Sequence, residues 1–385
     1  MLISVKNVYV YLMGDTMKKI LYVTTISTTM NVFLIPHITM LIKKGNEVHI
    51  ACNIDQEISK ELLEIGVKFH KIDFSRNPIK RSNINAYNQL KKLYDEENYD
   101  IVNTHTPVAS FITRFALRKK KIKMIYTCHG FHFYKGAPLL NWILYYPIES
   151  LAARWTDIIV TINSEDMKRA EKFKIRKNGQ VRLMHGVGID PKKYKLSNFD
   201  FSKYRNEIGI NDDDFVVLML AELNKNKNHI QIIKAMKMLK DRYPKIKVVI
   251  AGNGPLRTSL EEYVNTLKLG NNIKFLGFRS DVKELLNISD CVMLLSKREG
   301  LGKCMLEGMI AGKPLIATNT RGPRELISNN KNGYLVKVGD YKNTAYYIEN
   351  IYLDKVKRDR FAKYSLRKIN KYHLNNVLKE VNEYC

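Results

Sequence analysis

The sequence predicts an α/β chain folded as two doubly wound parallel-sheet units, and three observations predict it. Short apolar runs alternate with helical patterns along the chain, the order expected where strands and helices pack in layers. At 385 residues the chain is too long for one ordinary core. A turn-rich, polar stretch from Gly186 to about Ser202 then separates two series of such runs.

In the first series the runs read as strands at Lys19–Thr24, Glu47–Cys52, Lys68–Lys71, Ile101–Thr104, Lys123–Thr127 and Ile158–Ile162, followed by Val181–Met184, with helices in the gaps. In the second they fall at Phe215–Ala221, Lys247–Ala251, Ile273–Leu276, Cys291–Leu295, Leu315–Ala317 and Gly333–Val336. A last helix is expected from about Val356 to Glu383. The predicted organisation is a first domain over 17–190, a linker over 191–202, a second domain over 203–355 and the helical segment 356–385. Residues 1–16 precede Met17-Lys18-Lys19, itself a plausible start of translation and of the first strand. They lack a small-residue cleavage site and read as an extension, not a signal peptide.

Composition narrows the function classes. The chain is 45% apolar and 26% charged and has no apolar run of the roughly 18 residues a membrane span needs, which predicts a soluble globular protein. Five scattered cysteines, Cys52, Cys128, Cys291, Cys304 and Cys385, show no C-x2-C pairing, so reduced thiols in the cytoplasm are expected, with neither a zinc site nor a disulfide framework. A net charge of +26 attracts polyanions. Its basic runs lie at Arg118–Lys123, Lys172–Lys177 and Arg367–Lys379. No nucleic-acid motif accompanies them, which favours an anionic membrane surface over nucleic acid as a partner. Within 139–148, tryptophan and tyrosines interleave with leucines and isoleucines, a pattern that suits either a lipid headgroup layer or the core.

The stretch with most chemical content runs from Glu299 to Glu307. Two carboxylates flank Gly300-Leu301-Gly302-Lys303-Cys304, and the strand before them and Gly312-Lys313-Pro314 after them make a strand–loop–helix–strand unit. Gly300 and Gly302 let the backbone turn tightly beside a ligand, and a helix starting near Lys303 offers unpaired N–H groups to an anion. A phosphate fits there, with a sugar and a ribose accounting for the two acids. A helix cap with one solvated acid and a salt bridge is the commoner account of the bare spacing.

Ser296, Glu299, Gly300, Glu307, Gly308-Met309, Ala311-Gly312, Pro314 and Ala317-Thr318 resemble the E-x7-E signature of the family 4 retaining glycosyltransferases. The resemblance implies the GT-B fold, two Rossmann-like doubly wound domains facing a central cleft, the first on the acceptor side and the second holding a nucleotide sugar. It implies that Glu299 contacts the donor sugar, Glu307 the ribose, and the backbone from Gly302 to Cys304, with Gly300 and Lys303 beside it, the diphosphate. After the strand ending at Ala221, the family's usual arginine is replaced by Glu222, while Lys227 matches its lysine. Lys227, with Lys225 or Lys303, is thus left to meet the phosphates. Gly252-Asn253-Gly254-Pro255 lacks a third glycine and matches the family's nucleotide-side loop more closely than an NAD site, and Arg279 falls in the loop the family places around the base.

In the first half, Asn103-Thr104-His105-Thr106-Pro107 and the run Cys128-His129-Gly130-Phe131-His132-Phe133-Tyr134-Lys135 follow strands. The resemblance makes His129 a contact of the reacting sugar. It sets His105, His132 and Lys135 on the sugar or acceptor side, and the aromatic run is similar to exopolysaccharide and capsule members. The first loop, Thr24–Asn31, lacks the family's Gly-Gly pair, so contacts there fall to hydroxyls. Asp212-Asp213-Asp214, which superficially resembles a metal-binding D-x-D, precedes a strand and reads as a solvated loop. No cofactor and no metal are expected. The implied activity is retaining transfer from a nucleotide-diphosphate sugar, a UDP-sugar by preference, to a lipid-linked (polyprenyl-diphosphate) saccharide. The expected place is the cytoplasmic face of a bacterial membrane, as a peripheral protein in surface-polysaccharide assembly. A nucleotide-sugar epimerase and a basic nucleic-acid-binding protein are the competing readings.

Overall fold

A computed structural model describes residues 17–385; the expected extension over 1–16 lies outside them. Two parallel sheets carry the fold. The first has seven strands, β1 (Lys19–Ile26), β2 (Glu47–Asn53), β3 (Lys68–Lys71), β4 (Ile101–His105), β5 (Lys123–Cys128), β6 (Ile158–Thr161) and β7 (Gln180–Leu183), in the order β3-β2-β1-β4-β5-β6-β7. The second has six, β8 (Phe215–Leu220), β9 (Ile246–Ala251), β10 (Ile273–Gly277), β11 (Cys291–Leu294), β12 (Leu315–Thr318) and β13 (Gly333–Val336), in the order β10-β9-β8-β11-β12-β13. Contacts divide the chain into a unit ending at Ile125 and a unit beginning at Tyr126.

Every strand expected from the apolar runs is present, displaced by no more than a residue or two at its ends. The reason is burial on both faces. In β8, Phe215 to Met219 are all buried, because helices cover both sides of a parallel sheet and leave no polar face to break the apolar run. Val217 and Met219 share a core with Ile232 and Met236 of a covering helix, each such side chain contributing roughly 1.5–3 kcal/mol on burial.

The helices used below are α1 (Leu139–Ala153), α2 (Ser164–Ala170), α3 (His229–Leu239), α4 (Lys303–Ile310), α5 (Arg321–Leu326), α6 (Lys355–Lys368) and α7 (Leu374–Tyr384). The single helix expected over Val356–Glu383 is two, α6 and α7, broken over 369–373. The break has a cause distant in sequence. The Ile189 amide donates to the Tyr372 carbonyl at 2.9 Å and the Leu374 amide donates to the Ile189 carbonyl at 2.9 Å, a parallel bridge that an unbroken helix cannot offer. Beyond it, α7 is tied to β7 and the residues after it: Arg182 pairs with Glu383 at 3.0 Å and Glu380 accepts from His185 at 2.6 Å.

In the second sheet the strand order reverses between β8 and β11, the place where doubly wound sheets open a crevice beyond the carboxyl ends of their strands. Asp212, Asp213 and Asp214 sit at the opposite end of β8. The expectation of a solvated loop holds for Asp213, which pairs with exposed Lys245, but Asp214 is buried, its carboxylate accepting the Asn211 amide at 2.8 Å to brace the turn.

Candidate active site

The loops after β8 and β11 are stitched together. The Lys297 amide donates to the Asn226 carbonyl at 2.7 Å, Asn226 Nδ2 to the Arg298 carbonyl at 3.1 Å, and Asn228 Nδ2 to the Leu295 carbonyl at 3.2 Å. Asn228 sits at φ 55°, a left-handed conformation that asparagine tolerates better than most residues. These bonds aim Lys227 at Glu299, and Nζ donates to Oε1 at 2.6 Å. Burial alone would lower the Lys227 pKa; the Glu299 carboxylate, by charge and hydrogen bond, raises it instead. The pair is a quarter exposed or less, at 24% and 13%, so it is shielded yet reachable by a ligand.

Three residues on from Glu299, Gly302 turns the chain into α4 at φ 96°, and a Cβ there would meet Leu294 at 3.0 Å. Having no side chain, Gly302 cannot cap the first turn, so the positive end of the helix dipole is presented by backbone alone. Glu307, one turn into α4, is buried and accepts the Tyr194 hydroxyl at 2.9 Å, while Lys303 Nζ lies 3.6 Å from the same carboxylate. Burial first and Glu307 second push the Tyr194 hydroxyl pKa up, keeping it a donor. Cys304 is buried, which raises its thiol to about 12 and leaves its backbone as the useful part.

Gly252 and Gly254 are required by close backbone packing. A Cβ on Gly252 would stand 2.1 Å from the Ala221 carbonyl and one on Gly254 2.5 Å from the Leu223 carbonyl, so the loop after β9 lies directly on the loop after β8. Glu222 is exposed at that junction. Arg279 is held edge-on by Asp281, with Nε donating to Oδ1 at 2.8 Å, and Tyr204 stands 3.4 Å from its guanidinium; those bonds engage Nε and Nη2.

The segment after β5 meets the loop after β11 at main-chain distance. A Cβ on Gly300 would fall 2.0 Å from the His129 carbonyl, and Asn163 Nδ2 donates to the Gly300 carbonyl at 3.0 Å. His132 stacks on Tyr145 at 4.6 Å, and burial, then Arg298 and Arg321, lower its pKa to about 4, so it is neutral at pH 7. Exposed Lys135 lines a cleft of about 600 Å³ with Tyr134, Lys297, Arg298, Glu299 and Arg321. His105, in the unit ending at Ile125, is buried and stacks on Tyr22 at 5.6 Å. The hydroxyls of the first loop bond within the fold: Thr25 Oγ1 bonds Thr106 Oγ1 at 2.7 Å, and Ser27 and Thr28 both donate to Asp55.

Sequence reasoning missed Arg321, Asp166 and Tyr194. Arg321 Nε donates to the Glu299 carbonyl at 3.1 Å, and its other arm bonds Asp166 at 2.8 Å in an ion pair only 3% and 0% exposed. Burial raises the Asp166 pKa, against the lowering effect of Arg321. Ser164 and Glu165 extend the contact, the Ser164 amide donating to Glu325 at 3.0 Å and Arg324 pairing with Glu165 at 2.6 Å. One signal was available: two arginines directly after a buried strand, Thr318-Asn319-Thr320-Arg321-Gly322-Pro323-Arg324, at the end where ligands bind. Tyr194 lies in the expected linker, whose first residues form a short helical turn, Pro191–Tyr194.

Among the described residues His49, His70 and Glu97 bring ligand atoms within 4.8 Å of one another. They form an internal network: His49 bonds Tyr99 and Glu47, and Lys19, paired with Glu97, opposes a further cation. The five cysteines are buried and none forms a disulfide among the described residues.

Two parallel-sheet α/β domains with a crevice at the β8/β11 reversal define a GT-B glycosyltransferase. The chain belongs to that glycosyltransferase family: the family described as "Glycosyl transferases group 1" matches residues 200–368 and "Glycosyl transferase 4-like" matches residues 19–163. EpsD of Bacillus subtilis (strain 168), named provisionally as a glycosyltransferase, is 39% identical over 339 residues, 87% of each chain. An Escherichia coli "UDP-Gal:alpha-D-GlcNAc-diphosphoundecaprenol alpha-1,3-galactosyltransferase" is 28% identical over 255 residues, 65% of this chain and 66% of its own. Among solved structures, Anabaena HepE in complex with UDP and glucose superposes with a TM-score of 0.80 at 20% identity, over 95% of this chain and 98% of that one. No helix among the described residues is long and apolar enough to cross a membrane.

Proposed function

We propose that this glycosyltransferase is a family 4 retaining enzyme that moves a sugar from a UDP-sugar to a lipid-linked saccharide in exopolysaccharide or capsule assembly. The observation that carries the reading is the convergence of Lys227, Glu299 and the Gly302-led start of α4 beyond the ends of β8 and β11. Leaving-group departure builds charge on a diphosphate as the anomeric carbon becomes oxocarbenium-like, and a fixed helix N-terminus with a shielded lysine stabilises that charge without reorganising. In this reading the Gly302–Cys304 amides and Lys227 take the diphosphate, Glu307 the ribose, and Glu299 and His129 the sugar. The diphosphate charge is met by protein groups, with no step that requires a metal. Lys227 exchanges part of its bond to Glu299 for phosphate when the donor enters. The acceptor hydroxyl attacks from the face the diphosphate leaves. The name of the E. coli galactosyltransferase supports the substrate classes, and the net positive charge supports a peripheral place on an anionic cytoplasmic membrane face.

A panel of UDP-sugars screened for protection against thermal unfolding, followed by transfer to undecaprenyl-diphosphate-linked sugars, tests the proposal. Protection by none of them sinks the donor assignment, and a product of inverted anomeric configuration sinks retention.

A further inference from the structure

Helix α1 is built inside out for a helix with no partner. Its polar and aromatic side faces in: Trp142, Tyr145 and Tyr146 pack on Phe131, Phe133 and Phe173, and Glu149 accepts the buried Tyr126 hydroxyl at 3.0 Å. The two options left open by the sequence are thus divided, aromatics inward and aliphatics outward. Leu139, Leu140, Ile143, Leu144, Ile148 and Leu151 are 43–73% exposed and fall on one side of the helix, with no charge among them. At 15 residues that face is about 22 Å long. Contiguous exposed apolar surface of this kind marks a binding face.

The helix also starts at the cleft. Tyr134, Lys135 and Gly136 line it, and three residues later α1 begins. The cleft's cations are not balanced. Arg321 is matched by Asp166, Arg324 by Glu165 and Lys227 by Glu299. Lys135, Lys297 and Arg298 line the same cleft with no carboxylate bridged to them among the described residues. Three uncompensated cations beside Glu299 suit a diphosphate.

We infer that the acceptor lies across these two features, its diphosphate against Lys135, Lys297 and Arg298 and its polyprenyl chain along the outer face of α1. The inference rests on the reading of a lipid-linked acceptor and adds where that lipid sits. Charge complementarity and the direct run from cleft to helix select a lipid diphosphate over an uncharged apolar partner. Acceptor recognition is then divided, the cleft reading the charge and α1 the chain.

The test is binding of undecaprenyl diphosphate in detergent micelles, with UDP saturating so that inorganic diphosphate, the headgroup probe, cannot occupy the donor site. Leu140→Gln with Ile143→Gln should weaken undecaprenyl diphosphate at least tenfold and change inorganic diphosphate less than twofold. Lys297→Ala with Arg298→Ala should weaken both probes at least tenfold. UDP protection against unfolding reports folding and the donor site in every variant, so its absence from the wild-type protein refutes the donor reading and not this one. The inference is overturned if the α1 variant binds undecaprenyl diphosphate as the wild type does. It is also overturned if that variant loses only sedimentation with phosphatidylglycerol vesicles free of the lipid diphosphate, or splits a dimer with lipid binding unchanged.

Discussion

Two ion pairs flank Glu299, and they are built for opposite purposes. Arg321–Asp166 is sealed, at 3% and 0% exposure, and the arginine's remaining bond goes to the Glu299 carbonyl. Lys227–Glu299 is of similar length but stands open at 24% and 13%. A sealed pair cannot trade partners, because each charge would be stranded in a medium that penalises it, whereas a half-open pair can pass its cation to an arriving phosphate. Main chain and side chain of Glu299 are thus governed separately, the first fixed and the second exchangeable.

The largest test of that contrast is Arg321→Ala. It leaves Asp166 buried and unpaired, and unfolding stability should fall by about 3–5 kcal/mol, read as the denaturation midpoint at constant m-value. Asp166→Asn with Arg321→Met should recover part of the loss, and no recovery would mean the pair is not what holds the two segments. Second, Lys227→Met should lower turnover by about 10²–10³-fold, or roughly 2.7–4 kcal/mol, and shift the midpoint little. Equal losses of stability and turnover would erase the distinction between the pairs. The smallest effect at neutral pH comes from His229, two residues after Lys227 and 1% exposed. Burial, then the Lys227 charge, lowers its pKa from 6.5 to about 4. The unfolded chain then binds the proton first as pH falls. Stability from this residue is therefore complete above pH 6.5 and declines toward pH 4, by up to roughly 3 kcal/mol. His229→Asn should flatten that part of the stability profile, and an unchanged slope would show that another group governs it.

What the sequence disclosed follows the range of the forces involved. Strands such as Gly333–Val336 were legible because burial on both sides writes itself into consecutive residues. The Glu299–Glu307 stretch was legible because loop, helix start and both acids lie within nine residues. Arg321 and Asp166 are 155 positions apart and Tyr194 and Glu307 are 113 apart, and each belongs to no local pattern, so only folding reveals them. The break between α6 and α7 was hidden for the same reason, since no glycine or proline marks residues 367–376 and the bond that stops the helix comes from Ile189. His105 adds a similar case: its place at a strand end was legible, whereas the stacking of its ring on Tyr22, 83 positions away, was not.

The bridge between Ile189 and His373 also bears on the margin of the first sheet. β7 is the outermost strand of its sheet, and an outer strand offers unpaired backbone to any extended chain that drifts past. Here the last helix is tied to it by Arg182 to Glu383, and the side chains of Val377, Val381 and Tyr384 are buried. The tail is in effect a guard rail, and removing 374–385 would trade a covered margin for an adhesive one, so that losses would appear first as aggregation and only afterwards as lost turnover.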